Sequence, residues 1–395
     1  MASSNEIPNL RTLLGQGRGG VSRGRGRSRG GGGGGGGGGS GASQAGNEQL
    51  RDDAVKGTDQ DAAGSRVSCV ELGYLHDPYA RLFATQQTIR RLPLLNRGMF
   101  LYEDSLFSPL LVGVANCHTG TYVRTSAIDL LVARFLETDS SSTKQIISLG
   151  AGTDTRFFRL LDQYPQTRLV YHEIDFSSNT VSKIAAIQKH RLLSEKLEHA
   201  PTTADAYYSK TYNIHPLDLR SLAAASKDTP APHLPNLDPS IPTLILSEMC
   251  LVYMQPKVVQ SIIQSLLTYY LQPTTPASLI LYEPILPQDA FGRTMISNLQ
   301  TRNIHLPTLT SYPELGDQRA RLQSYGFKAG TRATDTSFIW RNWVGEEEKE
   351  RVGSLEFLDE LEELELLLRH YCVAWGWRDG DGDVFAQAWG QVREQ

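Results

Sequence analysis

The chain has few cysteines and no apolar run long enough to cross a bilayer. Its four cysteines, Cys69, Cys117, Cys250 and Cys372, stand far apart among 395 residues, and no C-x-x-C pair occurs. That spacing indicates neither a zinc ribbon nor a disulfide framework, so no metal site is expected. It fits a reducing, cytoplasmic compartment. The longest apolar stretch, near residues 106–115, contains Pro109. It is about half of the roughly 18–20 residues that a membrane span needs. Residues 1–10 lack a charged region followed by an apolar one, so no secretory signal is expected. A charge excess is lacking too: 39 basic against 43 acidic residues leave −4. A mildly acidic body has no global electrostatic reason to bind nucleic acid.

That average joins two unlike polymers. Residues 1–50 hold 18 of the 36 glycines, six arginines and two acids, a local charge of +4. The remainder carries 33 basic and 41 acidic residues, or −8. The first 50 residues cannot bury enough apolar surface to offset their chain entropy, which predicts a disordered Arg/Gly-rich tail. Arginines spaced by glycine within 16–39 suit a weak RNA contact. The plainer reading is a flexible extension without a dedicated partner. Residues 47–64 read as a polar leader. The span 51–380 is long enough for one large domain, followed by a short tail at 381–395.

Helix-like and strand-like segments alternate through this body. Residues 120–137 place apolar side chains at helical spacing. Short apolar runs at 145–149, 168–175, 242–248 and 277–283 read as buried strands, with helices expected at 179–197, 257–271 and 354–369. Strands separated by helices predict an α/β fold, a parallel sheet with helices on both faces. Ligands of such sheets bind beyond the carboxyl ends of the strands.

Four acids fall where that rule places a ligand. The loop Gly150-Ala-Gly-Thr-Asp154 follows the first strand and precedes a helix. The third glycine of G-x-G-x-x-G is replaced by Thr155, which argues against a pyrophosphate and so against a dinucleotide oxidoreductase. Asp175 ends the next strand and is placed to accept from ribose hydroxyls. Asp218 lies near the expected third strand end, within reach of an adenine amino group. Glu248 ends a further strand beside the same crevice. Glu283 is a strand-end acid as well and reads as structural. Acids without a P-loop lysine suit an uncharged or cationic nucleoside such as S-adenosylmethionine.

At this point the chain resembles the leucine carboxyl methyltransferases that methylate the C-terminal leucine of the type 2A protein phosphatase catalytic subunit. The resemblance runs from about residue 52 to 377. It rests on Gly73-Tyr-Leu-His-Asp-Pro-Tyr79, Asn96-Arg-Gly98, Leu149-Gly-Ala-Gly-Thr-Asp154 and Glu173-Ile-Asp-Phe176. Further blocks are Ser247-Glu-Met-Cys-Leu-Val-Tyr-Met254, Phe291-Gly-Arg-Thr-Met-Ile-Ser-Asn-Leu299, Ser354-Leu-Glu-Phe-Leu-Asp-Glu360 and Arg369-His-Tyr-Cys372. It implies a Rossmann-like class I methyltransferase sheet with a helical lid, S-adenosylmethionine as cofactor and the phosphatase tail as partner. The enzyme is expected to act as a monomer.

The resemblance also implies roles for individual residues. Arg124 stands near the cofactor carboxylate and the substrate carboxylate. Gly150 is the loop glycine, Asp175 the ribose acid, Asp218 with Leu219 the adenine pair, and Glu248 the acid for the cofactor amino group. An N-terminal basic residue falls at Arg66. Tyr253 is a candidate donor to the acceptor, and Arg97 a second candidate for the same anion. His76, Asp77 and Tyr79 read either as shaping the entrance or as a structural turn. Two readings compete: a related enzyme such as the wybutosine-type tRNA methyltransferase, and a catalytically dead binding module.

One departure is abrupt. In the family Asn-Arg-Gly runs almost directly into the Tyr-Val-Arg segment, whereas residues 99–120 intervene here. Removing them joins Asn96-Arg-Gly98 to Thr121-Tyr-Val-Arg124. A retained intron is expected, against a genuine surface loop.

Overall fold

A computed structural model describes residues 40–95, 114–139, 141–225, 229–356 and 361–395. The tail at 1–39, Asn96-Arg-Gly98 with Arg97, and residues 99–113 of the insert lie outside the described residues. Contacts divide the chain into two units, 1–45 and 46–395. Of the first, only the helical residues 40–45 are described.

Among the described residues, eight strands form one sheet. They are β1 (Lys144–Leu149), β2 (Leu169–Asp175), β3 (Tyr207–Tyr208), β4 (Tyr212–Pro216), β5 (Thr243–Glu248), β6 (Ala277–Pro284), β7 (Gly330–Asp335) and β8 (Tyr371–Arg378). Their order is β3-β4-β2-β1-β5-β6-β8-β7. The five strands β4, β2, β1, β5 and β6 are parallel, as the alternating pattern predicts. β3 pairs antiparallel with β4, and β8 runs antiparallel between β6 and β7. These three strands were not legible in the alternation. β1 is buried along its whole length, the signature of a strand covered on both faces.

The helices differ from the sequence pattern at their ends. The expected helix at 120–137 runs from Val114 to Glu137, so the last seven residues of the insert begin it. Its Val123, Ala127, Ile128, Leu131, Val132 and Phe135 are buried in the core, one stripe at helical spacing. The helix expected at 179–197 stops at Lys189, because His190 takes an extended conformation. A separate turn, Arg191–Ser194, then buries Leu193. The helix expected at 257–271 is α-helical only over Pro256–Ser265 and continues as a π turn, Leu266–Tyr270. The helix expected from Ser354 begins instead at Leu361, after an acidic helix that ends at Gly353.

The largest difference is the leader. Residues 47–64 belong to a helix of 32 residues, Ser40–Glu71. It has almost no apolar stripe. Its last turns bury Ala63, Val67 and Cys69, and polar contacts with the body hold it along its length: Asp52 to Arg220, Asp59 to Thr153, Asp61 to Arg302 and Arg66 to Asp77.

Candidate functional site

The strand order reverses between β1 and β5, and the crevice above their carboxyl ends is where such a sheet takes a ligand. The loop after β1 turns on two glycines in the left-handed region, Gly150 (φ +63°) and Gly152 (φ +44°). A Cβ on Gly150 would lie 2.5 Å from Cys250 Sγ, so that position also requires glycine for space.

Asp175 closes this loop. Its carboxylate accepts from the Gly152 N–H at 2.7 Å, the Phe176 N–H at 2.7 Å and Asn179 Nδ2 at 3.0 Å. Those bonds fill three of its roughly four acceptor positions, leaving about one for a ligand hydroxyl. Burial pushes its pKa up to about 6, against the opposing pull of the Gly152 N–H, and the nearby Asp59 charge adds to the rise. Asp59 reaches the same loop from the long helix and accepts from Thr153 N at 2.6 Å and Oγ1 at 2.8 Å. Burial raises its carboxyl too. No pattern in the sequence singled out Asp59.

Strand register explains which acids enter the crevice. Glu248 on β5 is paired with Tyr282 on β6, so the two side chains share a face. Glu283, one residue on, points to the opposite face. Arg124 serves the first face: its Nε donates to Glu248 Oε1, and its guanidinium lies 4.8 Å from the Tyr282 ring centroid. Desolvation pulls the Arg124 pKa down, but Glu248, Tyr282 and Tyr253 together outweigh it and raise the pKa. Tyr253, in the turn after β5, is partly buried near Arg124 and Thr58. Burial pushes its phenol up to about 12, so it stays a proton donor at neutral pH.

Asp218 follows β4 and is gripped by Arg220. Arg220 Nε donates to both carboxylate oxygens at 3.0 Å, and Nη2 donates to Oδ2 at 2.6 Å. Despite burial, that guanidinium holds the Asp218 carboxyl below its usual range. A ligand amino group at Asp218 would share the carboxylate with Arg220. Leu219 is buried beside it.

Arg66 comes from the long helix and acts on Asp129 and Asp154. Its Nε donates to Asp77 at 2.5 Å and its Nη1 to Thr125 at 3.5 Å. The same Asp77 accepts from Thr155 Oγ1 at 2.5 Å and from the Tyr79 N–H at 3.0 Å. Asp77 is therefore a buried hub between the long helix and the glycine loop. Tyr79 packs in the core with its hydroxyl on Asp162, and His76 is exposed. The His-Asp-Pro-Tyr segment is a structural turn.

Sequence reasoning missed the most buried charge of the crevice. Arg156, with 1% of its side chain exposed, donates to Asp129 at 3.0 Å, to Asp154, and to Glu248 Oε2 at 3.2 Å. Its place two residues beyond Asp154 in the glycine loop was the available signal.

The donor set fits a nucleoside that carries an α-amino acid. Asp175 offers an acceptor beside the glycine loop, and the Arg124–Glu248 pair offers a complement for a carboxylate and an ammonium. With the reversed strand β8 set between β6 and β7, this defines an S-adenosylmethionine-dependent methyltransferase of the class I fold.

The leucine carboxyl methyltransferase family matches residues 54–267. Leucine carboxyl methyltransferase 1 of Aspergillus fumigatus is 46% identical over 409 residues, covering 96% of each chain. That of Emericella nidulans is 47% identical over 404 residues, covering 96% of this chain and 95% of the relative. Among solved structures, a plantazolicin methyltransferase in complex with SAH is 12% identical with a TM-score of 0.35, covering 84% of this chain and 98% of that one. The chain belongs to the leucine carboxyl methyltransferase family, enzymes that methylate a leucine carboxyl group.

Proposed function

We propose that this protein transfers a methyl group from S-adenosylmethionine to the α-carboxylate of the C-terminal leucine of the protein phosphatase 2A catalytic subunit. The observation that carries the reading is the Arg124–Glu248 pair, which lies at the carboxyl end of β5 beside Tyr253. S-adenosylmethionine supplies an electrophilic methyl on a sulfonium sulfur. An α-carboxylate has a pKa of about 3.3–3.7, so it arrives ionised and needs no general base. What remains is positioning, with the attacking oxygen in line behind the methyl carbon at contact distance. Arg124 matches a carboxylate in a fork and replaces its hydration water. The Tyr253 hydroxyl donates to the acceptor and leaves the second oxygen free to attack. Transfer removes one positive and one negative charge, which a low-dielectric crevice favours.

Asp175 binds the ribose, and Asp218 with Leu219 holds the adenine. Arg66 acts indirectly, through Asp77 and the glycine loop. All four cysteines are unpaired, which supports a reducing compartment such as the cytoplasm. The test is transfer of labelled methyl to the phosphatase subunit, intact or lacking its terminal leucine. Label on the intact subunit alone is expected, and label on both would remove the acceptor assignment.

Asp175 gives this reading a pH signature. Its carboxyl titrates near 6 in the folded protein, above the unfolded value of about 3.9. The proton therefore favours the folded state below about pH 4, and this contribution is lost as pH rises through 6. Ligand binding has the opposite sign, because only the ionised acid accepts fully from a hydroxyl. Affinity for S-adenosylhomocysteine should fall as pH drops below 6, by at most about tenfold per unit. Asp175→Asn should bind more weakly and flatten the profile. A wild-type affinity constant from pH 5 to 7.5 would rule out the ribose role.

Residues 99–120 yield a separate expectation. Residues 114–120 form the first turns of the helix that carries Arg124, and His118 bonds Ser68 at 2.8 Å and Glu356 at 2.6 Å. Asn116, His118 and Thr119 are buried there and Cys117 packs against the core, whose fully buried apolar members on this helix start at Tyr122. We expect the mature transcript to lack codons 99–120, and the shortened protein to bind cofactor and transfer methyl. A transcript that keeps those codons decides for a genuine loop.

A further inference from the structure

We propose that Arg156 is the positioning residue that holds Glu248 in place while Arg124 exchanges partners. The proposal rests on the cofactor reading above and deepens it. Glu248 takes a different arginine on each oxygen: Arg124 on Oε1 and Arg156 on Oε2. The two arginines are not equivalent. Arg124 is 24% exposed at the crevice, whereas Arg156 is 1% exposed and anchored on Asp129 and Asp154.

The charges around Arg156 balance only while Glu248 has a cation on its outer oxygen. Asp129, Asp154 and Glu248 are three acids; Arg156 and Arg159, which also bonds Asp129, are two cations. Arg66 and Lys183 also act on Asp129 or Asp154, but each has an acid of its own, Asp77 and Glu173. The cluster is thus one positive charge short, and Arg124 supplies it here. An incoming α-amino acid group carries one ammonium and one carboxylate. The ammonium replaces Arg124 on Glu248 Oε1, and the freed guanidinium turns to the carboxylate. The cluster is neutral before and after, so the exchange leaves no bare charge in a dry site. It requires that Glu248 not follow Arg124. Arg156 prevents this through Oε2. Its contact to Glu248, 3.2 Å, is longer than those to Asp129 and Asp154, so it orients Glu248 while its charge is taken mainly by the other two acids.

Calorimetry with two ligands tests this, because they differ only in the amino acid part. S-adenosylhomocysteine carries it and 5′-methylthioadenosine does not. Arg156→Lys keeps the charge but loses the fork. It should weaken S-adenosylhomocysteine about tenfold and leave methylthioadenosine within about twofold, the loss of one charge-assisted contact. Asp129→Asn removes a different partner of Arg156. It should lower the melting temperature yet keep the wild-type ratio of the two affinities. Equal weakening of both ligands by Arg156→Lys, or the same change of ratio in Asp129→Asn, would overturn the proposal in favour of a purely structural role. Wild-type protein that binds neither ligand would overturn the cofactor reading itself. Should Arg156→Lys not fold, a crystal structure of the unaltered protein with S-adenosylhomocysteine decides. Arg156 must still contact Glu248 while Arg124 has left it; Arg124 still on Glu248 would end the proposal.

Discussion

Arg124→Ala is expected to lower kcat/KM for methyl transfer by about 10²- to 10³-fold, the size of effect seen when a preorganised charge partner is removed. The protein should remain folded. Glu248 keeps its contact to Arg156 and its side chain is 19% exposed, so water can take the oxygen that Arg124 vacates. The buried stripe of the Arg124 helix lies on other positions, Val123, Ala127, Ile128 and Leu131 among them. The loss should therefore appear in kinetics, with a melting temperature within a few degrees of wild type. Arg124→Lys should fall between the two, because an ammonium pairs as a point charge but cannot fork around a carboxylate. A kcat/KM within twofold of wild type for the alanine variant would remove Arg124 from the reaction. A collapse of the fold would recast it as a structural ion pair.

What could be read in the sequence follows from where burial writes a pattern. β1, β2, β5 and β6 are covered on both faces, so each appears as a short apolar run ending in a turn signal. The strand-end acids Asp175 and Glu248 follow directly, because the α/β rule assigns the ligand to those ends. β7, Gly-Thr-Arg-Ala-Thr-Asp, is an edge strand with half its residues only partly buried, and an edge strand needs no apolar run. β8 does carry one, Tyr371-Cys-Val-Ala-Trp-Gly-Trp-Arg378, buried almost throughout. The run went unread because it falls outside the strand–helix alternation: β8 inserts antiparallel between β6 and β7.

The long N-terminal helix shows the opposite limit. Gly46, Gly57 and Gly64 and a run of polar side chains argue against a helix on propensity alone. It forms because Asp52, Asp59, Asp61 and Arg66 meet partners on the body and Ala63, Val67 and Cys69 are buried, and scattered tertiary contacts of that kind leave little period to detect. Asp59 was invisible for the same reason, and Arg156 showed only its place just beyond the glycine loop. Their meaning lies in groups 94 residues away at Thr153 and 92 residues away at Glu248.

Glu283 is the acid for which sequence position and role diverge most, and it yields the largest stability effect. It ends β6 much as Glu248 ends β5, yet it faces the other side of the sheet. There it is 1% exposed and meets Arg321, itself fully buried, at 2.6 and 3.3 Å. Arg321 is further fixed by Tyr325 at 2.9 Å and lies 4.7 Å from the Tyr312 ring centroid. Glu283→Ala would leave that guanidinium buried without its counter-charge, which costs about 3–5 kcal/mol. For a chain of this size the corresponding fall in melting temperature is about 4–7 °C. S-adenosylhomocysteine affinity at 25 °C should not change, since the crevice lies on the opposite face. Glu283→Ala/Arg321→Met removes both charges and should recover most of the loss, because the pair is costly to break and nearly neutral to replace. A variant that melts as wild type but binds cofactor weakly would move Glu283 into the site and overturn the division of the two strand-end acids by face.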